Sequence, residues 1–304
     1  MSELTAYFNG EFIPESECKV HIADRGFRYG DGVFDIQRTF DGKPFRVREH
    51  LERFMRSLKY ARFDTGLTID DWEDLTYEIA RRNDHLRHPG GELHIGQYVS
   101  RGIRMHALDP APLTISVRPW HMQMDQFARG YVDGVHAVFV KTRSYAPDAL
   151  DSKVKHNNRL NMALAQLEAS DVDRQAYPLM QDGNGNITEN VQGNVWVVRD
   201  GVMRTPKDTN ALLGDAGVLA REIAERLGIP VEADDLQPYD AYTADEMFFT
   251  NTTYGVLPIR MVDNRPIGTE IPGPVATQLL AAWSDLVGYD LVAKALAFQP
   301  PERR

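Results

Sequence analysis

One cysteine, Cys18, stands in 304 residues. The chain can build neither an intrachain disulfide nor a cysteine-based metal site, and nothing in it demands an oxidising compartment. No apolar run approaches the ~20 residues needed to span a bilayer. The opening residues, MSELTAYFNGEFIP, lack the basic start and apolar run of a signal peptide. The nine histidines are scattered, without the spacing of metal ligands. Positive charge is in the minority: 34 Lys and Arg against 44 Asp and Glu leave a formal net charge of -10. Such a chain repels nucleic acid and anionic membrane surfaces. The acidic excess is spread along the chain, so it reads as solubility rather than as an acidic tail. Together these absences point to a cytoplasmic protein with no nucleic-acid, membrane or metal partner. Internal repeats and low-complexity segments are missing too.

What is present is ordinary globular material, 42% hydrophobic and 26% charged, enough for one large domain or two smaller ones. The opening reads as β structure: Ala6-Tyr-Phe and Glu11-Phe-Ile flank Asn9-Gly10, a strong hairpin signal. Val20 to Ala23 reads as a short strand, followed by a Gly-rich turning stretch to Gly32. Val33 to Phe40 is a strand closed by Asp41-Gly42. Phe34, Ile36 and Arg38 share one of its faces because side chains alternate. An arginine beside two apolar residues is either snorkelling to water or facing an anion in a cleft.

Helices follow over residues 48–58, with Leu51, Phe54, Met55 and Leu58 as the apolar stripe, and over 69–82, with Trp72, Leu75 and Ile79 inward. Leu93 to Val99 and Leu113 to Val117 read as paired strands. Arg101, Arg104 and His106 lie in the loop between them, where cationic donors could trap a carboxylate. The sequence divides into an N-terminal α+β domain over 1–118, an interdomain linker over 119–130 and a C-terminal α+β domain over 131–304. Strands and helices mix without strict alternation, so the fold class is α+β with largely antiparallel sheets.

The stretch Asp151-Ser-Lys-Val-Lys-His-Asn-Asn-Arg-Leu160 separates a strand from a helix whose Leu160, Ala163, Leu164 and Leu167 recur at helical spacing. It holds two lysines. A lysine serves as a covalent catalyst only when its amine is sometimes neutral, which requires a pKa below the usual ~10.4. A solvated charge at a helix start is the plain alternative for either one.

Several segments line up with a known pattern. Arg25-Gly-Phe-x-Tyr-Gly-Asp-Gly-Val-Phe34 and Phe45-Arg-Val-Arg-Glu-His-Leu-x-Arg53 come first. Lys155-x-x-Asn158, Ile187-Thr-Glu-x-x-x-x-Asn194, Leu213-Gly214 and Phe249-Thr-Asn-Thr-Thr253 follow in order. Over residues 6 to 285 the chain resembles the fold-type IV pyridoxal-phosphate aminotransferases. The resemblance implies that Lys155, three residues before an asparagine, holds the cofactor covalently and moves a proton at the substrate carbon, with Lys153 as the competing candidate. It also implies that Glu189 faces the pyridine nitrogen and that Arg48 clamps the phosphate. The amides of Asp215 and Ala216, with Thr252 and Thr253, complete the phosphate cup. Asp215-Ala216-Gly217 departs from the family's Ile/Val-Thr-Arg. Asn190 and Val191 replace small residues.

The resemblance also bears on substrate. Branched-chain enzymes carry Phe-x-Gly-x-Arg where this chain has Phe34-x-Ile36-x-Arg38, and Tyr-x-Arg where it has Leu93-x-Ile95. D-amino-acid aminotransferases carry Arg-x-His in the following loop, matched by Arg104-Met-His106. The expected reaction moves an amino group between a D-amino acid, or an (R)-primary amine, and a 2-oxo acid by ping-pong half-reactions in a homodimer. A branched-chain L-amino-acid aminotransferase, an aminodeoxychorismate lyase-type enzyme and a relative that has lost the cofactor are the alternatives.

Overall fold

The computed structural model describes residues 3–209 and 211–300, which cluster into two compact units. The first takes the chain up to Gln123 together with Val154–Asn158; the second holds Met124–Lys153 and Arg159–Gln299. The lysine stretch, read from sequence as part of the C-terminal half, is therefore split, and Lys155 packs in the first unit.

In the first unit a six-stranded antiparallel sheet contains β1 (Thr5–Phe8), β2 (Glu11–Pro14), β3 (Gly32–Phe40), β4 (Lys43–Pro44), β5 (Leu93–Ser100) and β6 (Thr114–His121). The strand order is β2-β1-β6-β5-β3-β4. Asn9 and Gly10 turn the first hairpin with φ of 49° and 102°, and Asp41 and Gly42 turn another with 50° and 77°. Short polar residues and glycine tolerate such angles.

The expected strand at Val20 to Ala23 is irregular and turning instead, and helix α1 (Arg25–Tyr29) follows it, inside the stretch that the glycines marked as turns. Asp24 is the cause. Its carboxylate caps the helix at Gly26 N (2.7 Å) and also accepts from the Ser100 and Thr114 hydroxyls, both at 2.6 Å. The cap starts a short helix where the glycines alone suggested only turns. Helix α2 (Val47–Tyr60) buries Val47, Leu51, Phe54 and Leu58, and α3 (Ile69–Asn83) buries Trp72 and Ile79. Helix α3 starts at a reciprocal cap, Thr68 with Asp71. Both helices cover the sheet face that carries Val33, Ile95, Val99 and Val117, and Val154 joins this core.

The second unit is built on an eight-stranded mixed sheet. Helix α4 (Gly130–Asp133) precedes β7 (Val135–Arg143), α5 (Leu160–Val172), β8 (Tyr177–Gln181), β9 (Asn194–Arg199) and β10 (Val202–Pro206). Then come α6 (Asp215–Arg226), β11 (Val231–Asp234), α7 (Pro238–Tyr242), β12 (Glu246–Asn251), β13 (Gly255–Val262) and β14 (Arg265–Pro266). Helices α8 (Pro274–Val287) and α9 (Leu291–Ala297) end the fold. The order is β11-β10-β9-β12-β13-β7-β8, with β14 on β13. Three of its pairings are parallel, β10 with β11, β13 with β7 and β7 with β8. Across both units antiparallel pairing predominates, as the α+β reading expects.

Helix α5 packs through Ala165 and Ala169, so the stripe Leu160, Leu164 and Leu167 faces outward. Small residues on the inner side let the helix lie close to β7 and β8. Among the described residues no helix is long and apolar enough to cross a membrane.

The first unit's core sets a stability test. The Phe54 ring is fully buried and meets Trp72 edge to face at 5.1 Å. Phe54→Ala should cost about 3–5 kcal/mol of unfolding free energy in urea titrations. A loss below about 1 kcal/mol would contradict this packing.

Candidate active site

Alternation divides β3 into two working faces. Asp35 and Gln37 point under α2 and α3, fully buried, while Phe34 and Ile36 stay half-exposed on the other side. Beneath the strand the Arg53 guanidinium grips Asp35 through Nε to Oδ2 (2.8 Å) and Nη2 to Oδ1 (2.7 Å). His50 Nδ1 lies 2.8 Å from the same carboxylate. Burial alone would raise the Asp35 pKa, but Arg53 and His50 outweigh it and hold the carboxyl far below the usual range. The fork fixes Arg53 as planar bidentate pairs do.

One helical turn further on, Ser57 receives the lysine segment. Ser57 Oγ donates to the Arg53 carbonyl (3.1 Å) and accepts from Lys155 N (3.2 Å). Phe34 N donates to Lys155 O (2.9 Å), Asn157 N to Gly32 O (3.0 Å) and Asn158 Nδ2 to Gly30 O (2.9 Å). Residues 154–158 therefore lie alongside the start of β3 like a short strand. Val154 and His156 are buried and Lys155 projects the other way, with its Nζ 4.9 Å from the centre of the Phe34 ring. Lys153 is exposed and pairs with Asp151 at 3.0 Å. The two lysines thus part company: one is a surface ion pair, the other is held by backbone on both sides.

The second unit gathers the other expected residues. Glu189 is buried, and its Oε2 accepts from Leu212 N at 3.2 Å. Asn194 Nδ2 donates to Leu212 O at 2.8 Å. A methyl group on Gly214 or Gly217 would sit 2.3 or 2.9 Å from Asn194 Oδ1. Only glycine at both positions lets Asn194 tuck under the first turn of α6. Gly214 caps that helix without a side-chain bond, so Asp215 and Ala216 open it with amide donors that suit an anion. Thr252 and Thr253 lie half-buried in the turn between β12 and β13, and Thr250 Oγ1 accepts from Trp196 Nε1 (2.9 Å).

Three expectations change. Arg48 is not a buried clamp: its side chain is 47% exposed and pairs with Asp70 and Glu73 of α3. Position 48 lies on the outer side of α2, whereas Arg53, 6% exposed, lies on the inner side. The signal is present in the chain, since 50, 53 and 57 continue the buried stripe of 47, 51, 54 and 58. Arg104 is bonded within its own loop. Its guanidinium donates to the carbonyls of Asp109 (3.0 Å), Ala111 and Pro112 (3.3 Å), closing its own loop, and His106 is exposed. Arg38 is 3% exposed, with Nε on Thr39 O (3.0 Å) and its guanidinium 3.9 Å over Phe40. It shares the face of Phe34 and Ile36 but packs toward the far end of the strand.

Leu93 and Ile95 also face the core, so the residues beside Phe34 and Ile36 on β5 are His94, Gly96 and Tyr98. Among the described residues no cluster of His, Cys, Asp or Glu could hold a metal ion.

These arrangements can be set beside known proteins. A Methanocaldococcus jannaschii protein, provisionally named a branched-chain-amino-acid aminotransferase, is 32% identical over 92% of this chain and 95% of its own. The D-alanine aminotransferase of Staphylococcus haemolyticus is 31% identical over 90% of this chain and 94% of its own. The crystal structure of a T.th. branched-chain amino acid aminotransferase with pyridoxamine 5'-phosphate superposes with a TM-score of 0.86. Its identity is 27%, over 94% of this chain and 95% of that one. The amino-transferase class IV description matches residues 32–262, and the chain belongs to that family.

Proposed function

We propose that this aminotransferase uses pyridoxal 5'-phosphate to move an amino group from a D-amino acid or an (R)-primary amine to a 2-oxo acid. The observation that carries the cofactor reading is the held lysine: Lys155 is bonded through both its N–H and its carbonyl, with its amine over Phe34. The donor set suits a phosphorylated pyridine. One unit offers an amine and a buried arginine, the other a buried carboxylate and a helix start with no side-chain cap. The relative crystallised with pyridoxamine 5'-phosphate supports the same choice.

When bound, the cofactor supplies an electron sink for a carbanion at the amino carbon. Lys155 Nζ would carry the covalent link to the cofactor and move the proton at the amino carbon. Glu189 would keep the ring nitrogen protonated. Arg53, in place of Arg48, would be the first unit's phosphate ligand; within the second unit the amides of Asp215 and Ala216 and the hydroxyls of Thr252 and Thr253 would offer donors to a phosphate. Ile36, where branched-chain relatives carry glycine, and the D-alanine aminotransferase likeness support the D-amino-acid reading. A branched-chain L-amino-acid reading is the second one, favoured by the Methanocaldococcus jannaschii protein.

A homodimer is part of the proposal. Ile22, Phe27, Tyr29, Ile103, Met105 and Leu108 are each more than half exposed. They sit on neighbouring segments joined by the Asp24–Ile103 bridge and by Arg25 N to Gly102 O at 3.0 Å. Such a patch would form the apolar centre of the ~800 Å² that each partner buries in a standard interface.

Three outcomes test these statements. Purified protein loaded with pyridoxal phosphate should show a near-visible band, absent in Lys155→Ala, that disappears on adding a reactive donor. The donor panel is D-alanine, D-glutamate, L-leucine and (R)-1-phenylethylamine. Faster bleaching by L-leucine than by the D-donors would shift the assignment to the second reading, and pyruvate release without an acceptor would indicate a lyase. Arg53→Ala should weaken cofactor binding at least tenfold by fluorescence titration, whereas Arg48→Ala should change it less than twofold; the reverse order would restore Arg48. In sedimentation the protein should run at twice its 34.4 kDa chain mass, and Met105→Glu with Leu108→Glu should halve it. A wild-type monomer would remove the dimer.

A further inference from the structure

The half-open face of the first sheet carries more than the three β3 residues singled out above. Cross-strand register sets three rungs across β3, β5 and β6: Phe34–Tyr98–Ser116, Ile36–Gly96–Arg118 and Arg38–His94–Trp120. Phe34 and Tyr98 stack at 5.5 Å between ring centres and 11° between planes. His94 and Trp120 stack at 5.1 Å and 28°. Gly96 stands between the two stacked pairs. A methyl group there would lie 2.8 Å from Tyr98 Cε2 and 3.0 and 3.1 Å from Trp120 Cζ3 and Cη2. The two rings therefore lean over the glycine from opposite sides and close the gap. The result is a continuous aromatic wall spanning five residues of β5, His94 to Tyr98, roughly 13 Å. One end of it, Phe34, lies under Lys155 Nζ.

The rings of the wall are uncharged. Burial, and then the charge of Arg38, push the His94 imidazole from 6.5 down to about 3, so the ring is neutral at ordinary pH. Burial pushes the Tyr98 phenol up, so it too stays neutral. Both arginines on this face are engaged, Arg38 at one end and Arg118 on the rung of Gly96 itself. Arg38 packs on Phe40. Arg118 lies 5.2 Å from the Trp120 ring centre, and its Nη2 meets Glu15 at 2.7 Å. A flat apolar group laid on such rings gains offset or edge-to-face contacts beyond its buried area. A small substituent gains none of this.

We infer that Tyr98 and Trp120, closed over Gly96, are specificity-determining residues that select substrates whose side chain is aromatic. The inference rests on the aminotransferase reading with Lys155 as the reacting amine, and it adds the substrate class. No bond is made or broken by the wall: it holds the substituent while the amine at its end reacts.

The test measures kcat/KM for phenylalanine and for alanine, each as the enantiomer that reacts. The phenylalanine-to-alanine ratio should exceed ten in the wild-type holoenzyme. It should fall at least tenfold in Tyr98→Ala, in Trp120→Ala and in Gly96→Ala, whose methyl pushes the rings apart. Tyr98→Phe should keep it within twofold. A second arm needs no turnover: calorimetric titration of the holoenzyme with 3-phenylpropionate should give a Kd that rises at least tenfold in Tyr98→Ala and is restored in Tyr98→Phe. Thermal unfolding accompanies each variant, so that a loss of fold is recognised, with Tyr98→Phe as the variant that preserves packing. A ratio and a Kd that Tyr98→Ala leaves unmoved would overturn the inference while the aminotransferase reading stands. If no donor bleaches the cofactor band, that reading fails, and the 3-phenylpropionate arm still decides the wall.

Discussion

The buried pair of Asp35 and Arg53 is the constraint from which the first unit's chemistry follows. Two charges taken out of water are costly unless geometry is good and every remaining donor and acceptor is used. Here the fork is bidentate and His50 adds a third contact. Removing either partner would strand the other, at about 3–5 kcal/mol. Asp35 is therefore a depressed carboxylate. Its contribution is fully present above the unfolded pKa of ~3.9 and is lost only as pH falls toward the much lower folded value. At any pH where the protein works, the pair locks α2 against β3.

That lock places the lysine. Arg53 and Ser57 are one turn apart, so a helix fixed at the first is fixed at the second, and Ser57 Oγ then receives the Lys155 amide. On the strand side, Phe34 N holds the Lys155 carbonyl, and Phe34 adjoins Asp35 in the chain. The same two elements that share the ion pair thus grip the lysine from both sides. Period two does the rest: Asp35 goes down to the arginine and Phe34 goes up to the amine.

Much of this was legible in the chain. The hairpins at Asn9-Gly10 and Asp41-Gly42, the stripes of α2 and α3, and the face shared by Phe34, Ile36 and Arg38 follow from turn chemistry and periodicity, which act locally. What was not legible depends on contacts far apart in sequence. Asp24 starts a helix because Ser100 and Thr114 hold its carboxylate. Arg48 and Arg53 are five residues apart on one helix: the stripe of 47, 51, 54 and 58 puts 53 on the inner side, but the carboxylate that partners a buried arginine there comes from β3. In α5 the leucines recur at helical spacing but face outward, and the alanines Ala165 and Ala169 pack inward beside Val138, Val140 and Met180.

Arg104 carries the lesson furthest. Its spacing to His106 resembles a carboxylate trap, yet a guanidinium has five donors and takes the nearest good acceptors. The loop from Asp109 to Pro112 offers three carbonyls, two of them on residues that precede prolines and are held extended by them. A cation so engaged shapes its own loop, while other groups are fixed by the sheet itself. Glycine is the residue that makes this possible. At Gly96 the missing side chain lets two rings converge, and at Gly214 and Gly217 it lets Asn194 reach under a helix. In both places the site is shaped by an atom that is not there, which no pattern of polar residues could have announced.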